Sequence, residues 1–216
     1  LTEQKIGTTR RGNGPAYRDK YARKGIRACE VPSLSSYMID LYEEFHSDTS
    51  VKVLCEGAQG FGLDIDWGDY PYVTSSHCTV GSAILNGVPP RAIRNIWGVS
   101  KIYETYVGAK EFQGVDPILD DIREAGEEYG ATTDRPRQTN WLDLDMLKKA
   151  INVNGVNKLV VNKIDVLEKV KFWKLYEGIN ALEFSEGNHM HDYIKQYVLD
   201  IDDSIEVLFS GNKNAI

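Results

Sequence analysis

The stretch Leu159-Val160-Val161-Asn162-Lys163-Ile164-Asp165 joins a short apolar run directly to three polar side chains. The apolar run predicts a buried strand, so the Asn-Lys-x-Asp pattern stands at the carboxyl end of that strand. Ligands of open α/β sheets bind at this edge. A carboxylate fixed there can accept hydrogen bonds from both N1–H and N2–H of guanine, a donor pair that adenine lacks. The stretch favours an α/β sheet with a base-reading site, although a four-residue match also occurs by chance.

The composition is that of an acidic globular protein. The 216 residues include 25 Lys and Arg against 32 Asp and Glu, a net charge of -7, and the pI is about 5.2. We expect no nucleic-acid or membrane partner, because both kinds of binding rest on a cationic surface or a long apolar segment. No signal-peptide pattern is present. The three cysteines are isolated and lack zinc spacing, which favours a reducing, cytoplasmic location.

A basic, glycine-rich segment occupies residues 6–27. Glycine backbone, hydroxyl groups and arginines together offer many donors to a phosphate, so the segment predicts an anion site. The alternative is a solvated basic loop. The chain contains no Gly-x4-Gly-Lys-Ser/Thr phosphate loop.

A second candidate loop runs over residues 56–76, after an apolar run at 51–55 that predicts a buried strand. Gly57, Gly60 and Gly62 allow the backbone to approach a ligand, and Gln59 carries both a donor and an acceptor. The alternative is a tight structural turn. Residues 33–46 precede this strand and have the apolar periodicity of an amphipathic helix packed on the core.

A third candidate loop covers residues 130–139, with Thr132, Thr133, Arg135 and Arg137 around Pro136. Arginine pairs bidentately with carboxylate or phosphate, so this loop can close over an anionic substrate. The alternative is an exposed polar linker. We also predict strands at 96–107, 171–176 and 205–209, and helices at 79–85, 116–129, 143–152 and 189–201.

Taken together, the motifs resemble those of the adenylosuccinate synthetase family, in the order and spacing of that family from Ile6 onward. The matching stretches are Gly7-Thr8-Thr9 to Arg23, Glu56 to Gly60 with Tyr70 to Ser76, Gly130-Ala131-Thr132-Thr133-x-Arg135-x-Arg137, and Lys163-x-Asp165. The resemblance implies an α/β fold with a mostly parallel central sheet flanked by helices, related to P-loop NTPases. We expect a single, partial domain over residues 1–216 that lacks the N-terminal strands.

The family uses GTP and Mg²⁺ to join L-aspartate to IMP, works as a homodimer, and belongs to purine biosynthesis. The resemblance assigns the following residues to IMP: Thr9, Gln59, Thr74, Arg135, and Arg23 from the partner subunit. It assigns Ala131, Thr132, Thr133, Arg135 and Arg137 to aspartate. It assigns Arg137, Lys163, Ile164, Asp165, Ser210 and Gly211 to GTP, and makes Lys20 the catalytic candidate.

The chain departs from the family in several ways. The family's N-terminal third holds the phosphate loop, the catalytic Asp that also binds Mg²⁺, and the catalytic His, so no metal ligand is assigned here. We therefore expect the 216-residue chain alone to show no synthetase turnover. Asp134, Asn162 and Phe209 differ from the residues usual in the family. These differences leave two alternatives: a phage-type relative that acts on dGMP, and a non-catalytic guanine-nucleotide-binding module.

Overall fold

The computed structural model describes residues 6–47, 52–131 and 134–211, and the backbone of 214–215. Contacts divide the chain into two compact units. We call Thr9–Arg94 the loop unit, and Leu1–Thr8 with Asn95–Ile216 the sheet unit. The expectation of one domain stays a prediction.

The loop unit consists mainly of irregular chain. Its α-helices are α1 (Asn13–Tyr21), α2 (Leu41–His46) and α3 (Gly81–Leu85), with 3₁₀ turns at Ala28–Glu30, Pro32–Tyr37, Phe61–Leu63 and Pro90–Ala92. Among the described residues of this unit, Asp64 alone is fully buried. The loop unit therefore has no hydrophobic core within the part of the chain that the structure describes.

The sheet unit contains the strands and the longer helices. The strands are β1 (Trp97–Lys101), β2 (Tyr103–Tyr106), β3 (Gln138–Asp143), β4 (Lys158–Asn162), β5 (Trp173–Glu177), β6 (Asn180–Phe184), β7 (Glu206–Gly211) and β8 (Asn214–Ala215). The helices are α4 (Ile118–Ala125), α5 (Leu144–Asn154), α6 (Ile164–Val170) and α7 (Gly187–Ile201). No helix in the described residues is long and apolar enough to cross a bilayer.

Two four-stranded sheets organise this unit, in the orders β1-β4-β7-β8 and β2-β3-β5-β6. In the first sheet, β1, β4 and β7 are parallel and β8 is antiparallel to β7. The carboxyl ends of the parallel strands therefore lie at one edge, where ligands of α/β sheets bind. In the second sheet β3 and β5 are parallel, and the other two pairs are antiparallel.

The core lies between these sheets and their helices. Leu159 and Val161 of β4 alternate inward and are at most 1% exposed, as a strand period of two requires. Leu119 and Ile122 place the apolar face of α4 in the same core. The Asp143 carboxylate caps α5 by accepting from the backbone N–H groups of Asp145 and Met146.

The strands predicted at Leu159, 171–176 and 205–209 are confirmed with shifted ends, as are the helices predicted at 79–85, 116–129, 143–152 and 189–201. The single strand predicted over 96–107 is wrong: it is two strands, β1 and β2, in different sheets. No strand forms over residues 52–55, and residue 51 lies outside the described residues. The segment predicted as one helix over 33–46 is a 3₁₀ turn followed by α2. The prediction that it packs on the core is wrong, because Tyr37 and Tyr42 are 79% and 68% exposed.

Candidate functional site

A cavity of about 260 Å³ opens at the carboxyl edge of the parallel sheet. It lies where β4 and β7 end, beside the first turn of α6 and the residues that follow α4. The polar side chains and backbone that line it belong to Glu127, Asn162, Lys163, Asp165, Lys169, Ser210 and Gly211, among others. The structure thus brings together four residues that the sequence assigned to one nucleotide: Lys163, Asp165, Ser210 and Gly211.

Asp165 presents an unused acceptor in this cavity. Its Oδ1 atom is buried and has no hydrogen-bond partner among the described residues. Its Oδ2 atom lies 3.7 Å from Lys169 Nζ, one helical turn along α6. Because a buried acceptor without a partner is costly, the free Oδ1 is suited to a ligand that donates hydrogen bonds.

The backbone of Gly211 lies against this carboxylate. A Cβ atom at position 211 would lie 3.2 Å from Asp165 Oδ1 and 3.1 Å from its Cβ. That spacing is tighter than ordinary van der Waals contact, so a larger residue would push the carboxylate out of place. Gly211 therefore sets the position of Asp165 in the cavity.

Lys163 forms another wall of the cavity. The residue has a positive φ of 64° where β4 turns into α6, and its Nζ donates to Gly126 O at 2.8 Å. Because Gly126 also lines the cavity, the apolar stem of Lys163 extends along the cavity wall, where it can lie on a flat base. Ile164 packs beside the cavity against the hydrophobic core.

The loop after α4 is closed by a short antiparallel pairing. Tyr129 bridges to Pro136, and Arg137 N donates to Glu128 O at 2.9 Å. Ala131 lies near the exposed tip, while Thr132 and Thr133 lie outside the described residues. Asp134 has a positive φ of 49°, a backbone region that glycine adopts most readily.

A charged cluster lies at the base of this loop. Glu128 is 3% exposed, and both of its carboxylate oxygens lie 2.7 Å from Lys101 Nζ. Tyr103 Oη donates to the same carboxylate at 2.7 Å, and Arg137 Nη1 donates at 2.9 Å. Burial would raise the pKa of Glu128, but the donors from Lys101 and Tyr103 outweigh burial and lower it. The carboxylate is therefore ionised and fully enclosed.

Arg135 connects the loop to Gly7. Its Nη2 donates to Gly7 O at 3.2 Å, which connects the loop to the first residues of the chain within the sheet unit. Gly7 itself has a φ of 71°, and a Cβ there would lie 2.8 Å from Ala109 N. Because Gly7 has no side chain, the backbone at residue 7 can lie this close to Ala109. This position leaves the Gly7 carbonyl beside Arg135.

In the loop unit the first motif surrounds α1. Thr9 is exposed just before this helix and Arg23 is exposed just after it, with a φ of 59°. Lys20 Nζ lies 5.8 and 5.9 Å from the ring centres of Tyr17 and Tyr21. All three predicted site residues of this motif are thus near the two ends of one short helix.

The second motif of the loop unit meets the first at Gly14, where a Cβ would lie 3.3 Å from Ser75 Oγ. Gln59 is exposed with a φ of 62°, and Thr74 N donates to Leu63 O at 2.8 Å. The structure therefore brings the basic segment and the Thr74-Ser75-Ser76 stretch together.

Asp64 holds the second motif in shape. Its Oδ1 accepts from Asp66 N and Trp67 N, and its Oδ2 accepts from Cys78 N. Burial would raise the pKa of Asp64, but these three backbone donors outweigh it and lower the pKa. The carboxylate thus closes the loop between residues 64 and 78.

Asp64, Asp66 and His77 carry ligand atoms within 4.8 Å of one another. This set does not fit Mg²⁺, because both Asp64 oxygens already accept backbone hydrogen bonds and Mg²⁺ prefers oxygen ligands to imidazole. The cluster is explained by the loop that Asp64 closes. We assign no metal to it.

Sequence reasoning missed Lys101, Tyr103 and Glu128, and it included Asn162 in the Asn-Lys-x-Asp pattern without assigning it to a ligand. Asn162 Oδ1 is a second buried acceptor without a partner among the described residues, in the same cavity as Asp165. The signal available for Asn162 was its position in the Asn-Lys-x-Asp pattern. For Glu128 the available signal was its place just before the Gly130-Ala131 motif.

The chain is similar to known adenylosuccinate synthetases in sequence and in fold. A family model described as adenylosuccinate synthetase matches residues 1–45 and 31–192. The adenylosuccinate synthetase of Caldanaerobacter subterraneus subsp. tengcongensis is 36% identical over 226 residues, covering 81% of this chain and 53% of the relative. That of Koribacter versatilis is 40% identical over 214 residues, covering 77% and 48%. The chain spans about half the length of these curated relatives.

Two solved structures are also similar. The fully ligated adenylosuccinate synthetase from Plasmodium falciparum superposes with a TM-score of 0.79 at 27% identity, over 94% of this chain and 68% of that chain. The cyanophage S-2L succinoaminodeoxyadenylate synthetase, solved with dGMP and with dATP as an energy donor, has a TM-score of 0.58 at 21% identity. It covers 88% of this chain and 65% of that chain, and it shows a similar fold.

Proposed function

Because the chain belongs to the adenylosuccinate synthetase family, we propose that it serves the GTP-dependent ligation of L-aspartate to IMP in purine biosynthesis. The products are adenylosuccinate, GDP and phosphate. The observation that carries the proposal is the buried, unpartnered Asp165 Oδ1 in the cavity at the sheet edge. That acceptor matches the N–H groups of guanine.

The base is guanine because of what each purine offers to a carboxylate. Guanine presents N1–H and the 2-amino group side by side, and one carboxylate can accept from both. Adenine has no donor at N1 and no 2-amino group, so it would leave the Asp165 oxygen buried without a partner, which costs about 1–3 kcal/mol. The Lys163 stem lies along the face of the base, and Gly211 keeps the carboxylate at the cavity.

The anionic substrates match the two basic loops. We assign IMP binding to Thr9, Gln59, Thr74, Arg135 and the partner subunit's Arg23. We assign aspartate binding to Ala131, Thr132, Thr133, Arg135 and Arg137. Arginine forks suit both the aspartate carboxylates and the nucleotide phosphate. The assignment implies a homodimer, since Arg23 acts across subunits.

The reaction proceeds in two displacements. N1 of IMP loses its proton to a base while the 6-oxygen takes the γ-phosphoryl group of GTP. The bond from the γ-phosphorus to the β-phosphate oxygen breaks, GDP leaves, and the phosphorylated 6-oxygen becomes a leaving group. The amine of aspartate then attacks C6, the C6–O bond breaks, phosphate leaves, and the amine loses a proton. Arg137, Ser210 and Ile164 belong to the GTP side of this site, and Lys20 is the catalytic candidate in this chain.

Mg²⁺ is the metal implied by the family, and it would neutralise charge on the transferring phosphoryl group. The described residues assemble no oxygen-ligand set that fits it, so we assign no step to a metal. The three cysteines are free in the structure, which supports the proposed cytoplasmic location.

Calorimetric titration of the chain with GTP, ATP, IMP and dGMP, each alone, tests the proposal. We expect GTP to bind at least about tenfold more tightly than ATP, since one unsatisfied acceptor is worth about that factor. Equal affinity for GTP and ATP would overturn the guanine assignment. Tighter binding of dGMP than of IMP would replace IMP by dGMP as the acceptor substrate.

A further inference from the structure

We propose that Glu128 is a positioning residue that holds the guanidinium of Arg137 in the orientation that receives the nucleotide phosphates. The inference rests on the proposed guanine-nucleotide site. The Glu128 carboxylate is enclosed by donors from the protein. Glu128 therefore acts on the ligand through Arg137.

The geometry links the two residues twice. Arg137 N donates to Glu128 O at 2.9 Å, and Arg137 Nη1 donates to Glu128 Oε2 at 2.9 Å. Backbone and side chain are therefore fixed together at the base of the loop. Glu127, the residue before Glu128, lines the cavity, so Glu128 adjoins the cavity along the chain.

The charges around Glu128 do not balance. One carboxylate faces two cations, Lys101 and Arg137, and the charge of Lys163 also reaches Lys101. Glu128 takes one of the five N–H donors of Arg137, and 30% of the Arg137 side chain remains exposed. Glu127 and Asp165 add negative charge at the cavity, so the part of this cluster that suits an anionic ligand is the set of Arg137 N–H donors that Glu128 leaves free.

Lys101 and Tyr103 keep the carboxylate itself in place. Both are anchored in the sheets, Lys101 at the carboxyl end of β1 and Tyr103, which is 1% exposed, at the start of β2. A carboxylate held by rigid elements transmits that rigidity to the guanidinium it binds. Without Glu128, three cations would face one another and Arg137 would lose its anchor.

The test compares GTP with guanosine, which has the same base and no phosphate, in calorimetry on the full chain. For Glu128→Gln we expect GTP to bind at least tenfold more weakly and guanosine to bind within twofold of wild type. Asp121→Asn is the matched control, because it removes a carboxylate from an exposed position on α4, and it should change neither affinity. An equal loss for both ligands, or no loss for GTP, would overturn the inference.

A double-mutant cycle separates positioning from a general loss of structure. If Glu128 acts through Arg137, then adding Glu128→Gln to Arg137→Gln causes no further loss of GTP affinity, whereas additive losses would refute this. If Glu128→Gln does not fold, Glu128→Asp keeps the buried charge and stretches the Arg137 contact. That variant should weaken GTP binding by a few-fold and leave guanosine unchanged, and wild-type GTP affinity from it would refute the inference.

A pH profile gives a second readout. Burial lowers the pKa of Lys101, and Glu128 partly restores it, whereas Arg137 and Lys163 lower it further. In Glu128→Gln, Lys101 keeps its hydrogen bond to Thr105 Oγ1 but faces those two cations without the Glu128 carboxylate. GTP affinity should therefore fall as pH rises from 7 to 9, and more steeply than in wild type. Parallel profiles would count against the inference. If wild type binds no GTP at all, the proposed function fails first.

Discussion

Replacing Asp165 by Asn reverses part of the donor and acceptor pattern that the nucleotide cavity presents to a purine. The amide NH₂ of Asn would face the guanine N–H groups, donor against donor. Xanthine carries a carbonyl at C2, where guanine carries the amino group, and this oxygen can accept from the Asn amide. We therefore expect Asp165→Asn to bind xanthosine triphosphate in preference to GTP.

The size of the effect follows from the buried position of Asp165 Oδ1. A hydrogen bond to a charged group contributes about 1.5–3 kcal/mol, which corresponds to a loss of GTP affinity of about 10- to 100-fold. The ion pair of Asp165 with Lys169 at 3.7 Å is also lost. It is worth at most about 0.5 kcal/mol and affects both nucleotides alike, so it does not change the ratio.

Competition calorimetry with both nucleotides measures this ratio directly. Asp203→Asn makes the same chemical change at an exposed position and should keep the wild-type preference for GTP. If Asp165→Asn binds GTP as tightly as wild type does, or if its preference for GTP over xanthosine triphosphate is unchanged, Asp165 does not read the base.

Three further changes test other parts of the structure. Gly211→Ala should weaken GTP binding about tenfold without loss of stability, because its Cβ would crowd the Asp165 carboxylate; unchanged affinity in calorimetry would contradict this. Burial raises the pKa of Glu104 to about 7, so the folded state holds a proton that the unfolded state releases near pH 4.5, and wild-type stability falls as pH rises between these values. Glu104→Gln should remove this dependence of the free energy of unfolding on pH. The variant should be more stable than wild type above pH 7 by up to about 3 kcal/mol in urea unfolding, and a pH dependence retained in it would refute the raised pKa of Glu104 as its cause. Asp64→Ala leaves three backbone N–H groups without their acceptor and should increase amide hydrogen exchange at Cys78 at least tenfold, whereas unchanged protection there would show that another group closes the loop.

The sheet edge could be predicted because its signals are local. An apolar run of three residues and the Asn-Lys-x-Asp pattern are adjacent in sequence, and β4 and the cavity form where that pattern ends. Helix α5 could be predicted equally well, since Asp143 is a local start signal and Gly155 is a local stop signal.

The Glu128 cluster could not be predicted in this way. Lys101 and Glu128 are 27 positions apart, and their meeting depends on which sheets β1 and β2 join. The division of residues 96–107 between two sheets was also hidden, because Ile102 alone separates the two strands in sequence. Tertiary pairing decides such cases.

The helix predicted at 33–46 failed for a different reason. Helical periodicity shows that one face of a segment is apolar, but it does not show that another element covers that face. In the structure Tyr37 and Tyr42 remain largely exposed, and residues 38–40 interrupt the helix.

The absence of a buried apolar cluster in the described part of the loop unit has a thermodynamic consequence. Apolar burial is the main source of folding free energy, so the order of Thr9, Gln59 and Thr74 depends largely on whatever binds to them. Part of the intrinsic binding free energy of a ligand is then consumed in ordering the chain, which lowers the measured affinity. We expect binding at this unit to show a large negative enthalpy that is opposed by entropy, whereas binding at the rigid Asp165 cavity lacks this signature.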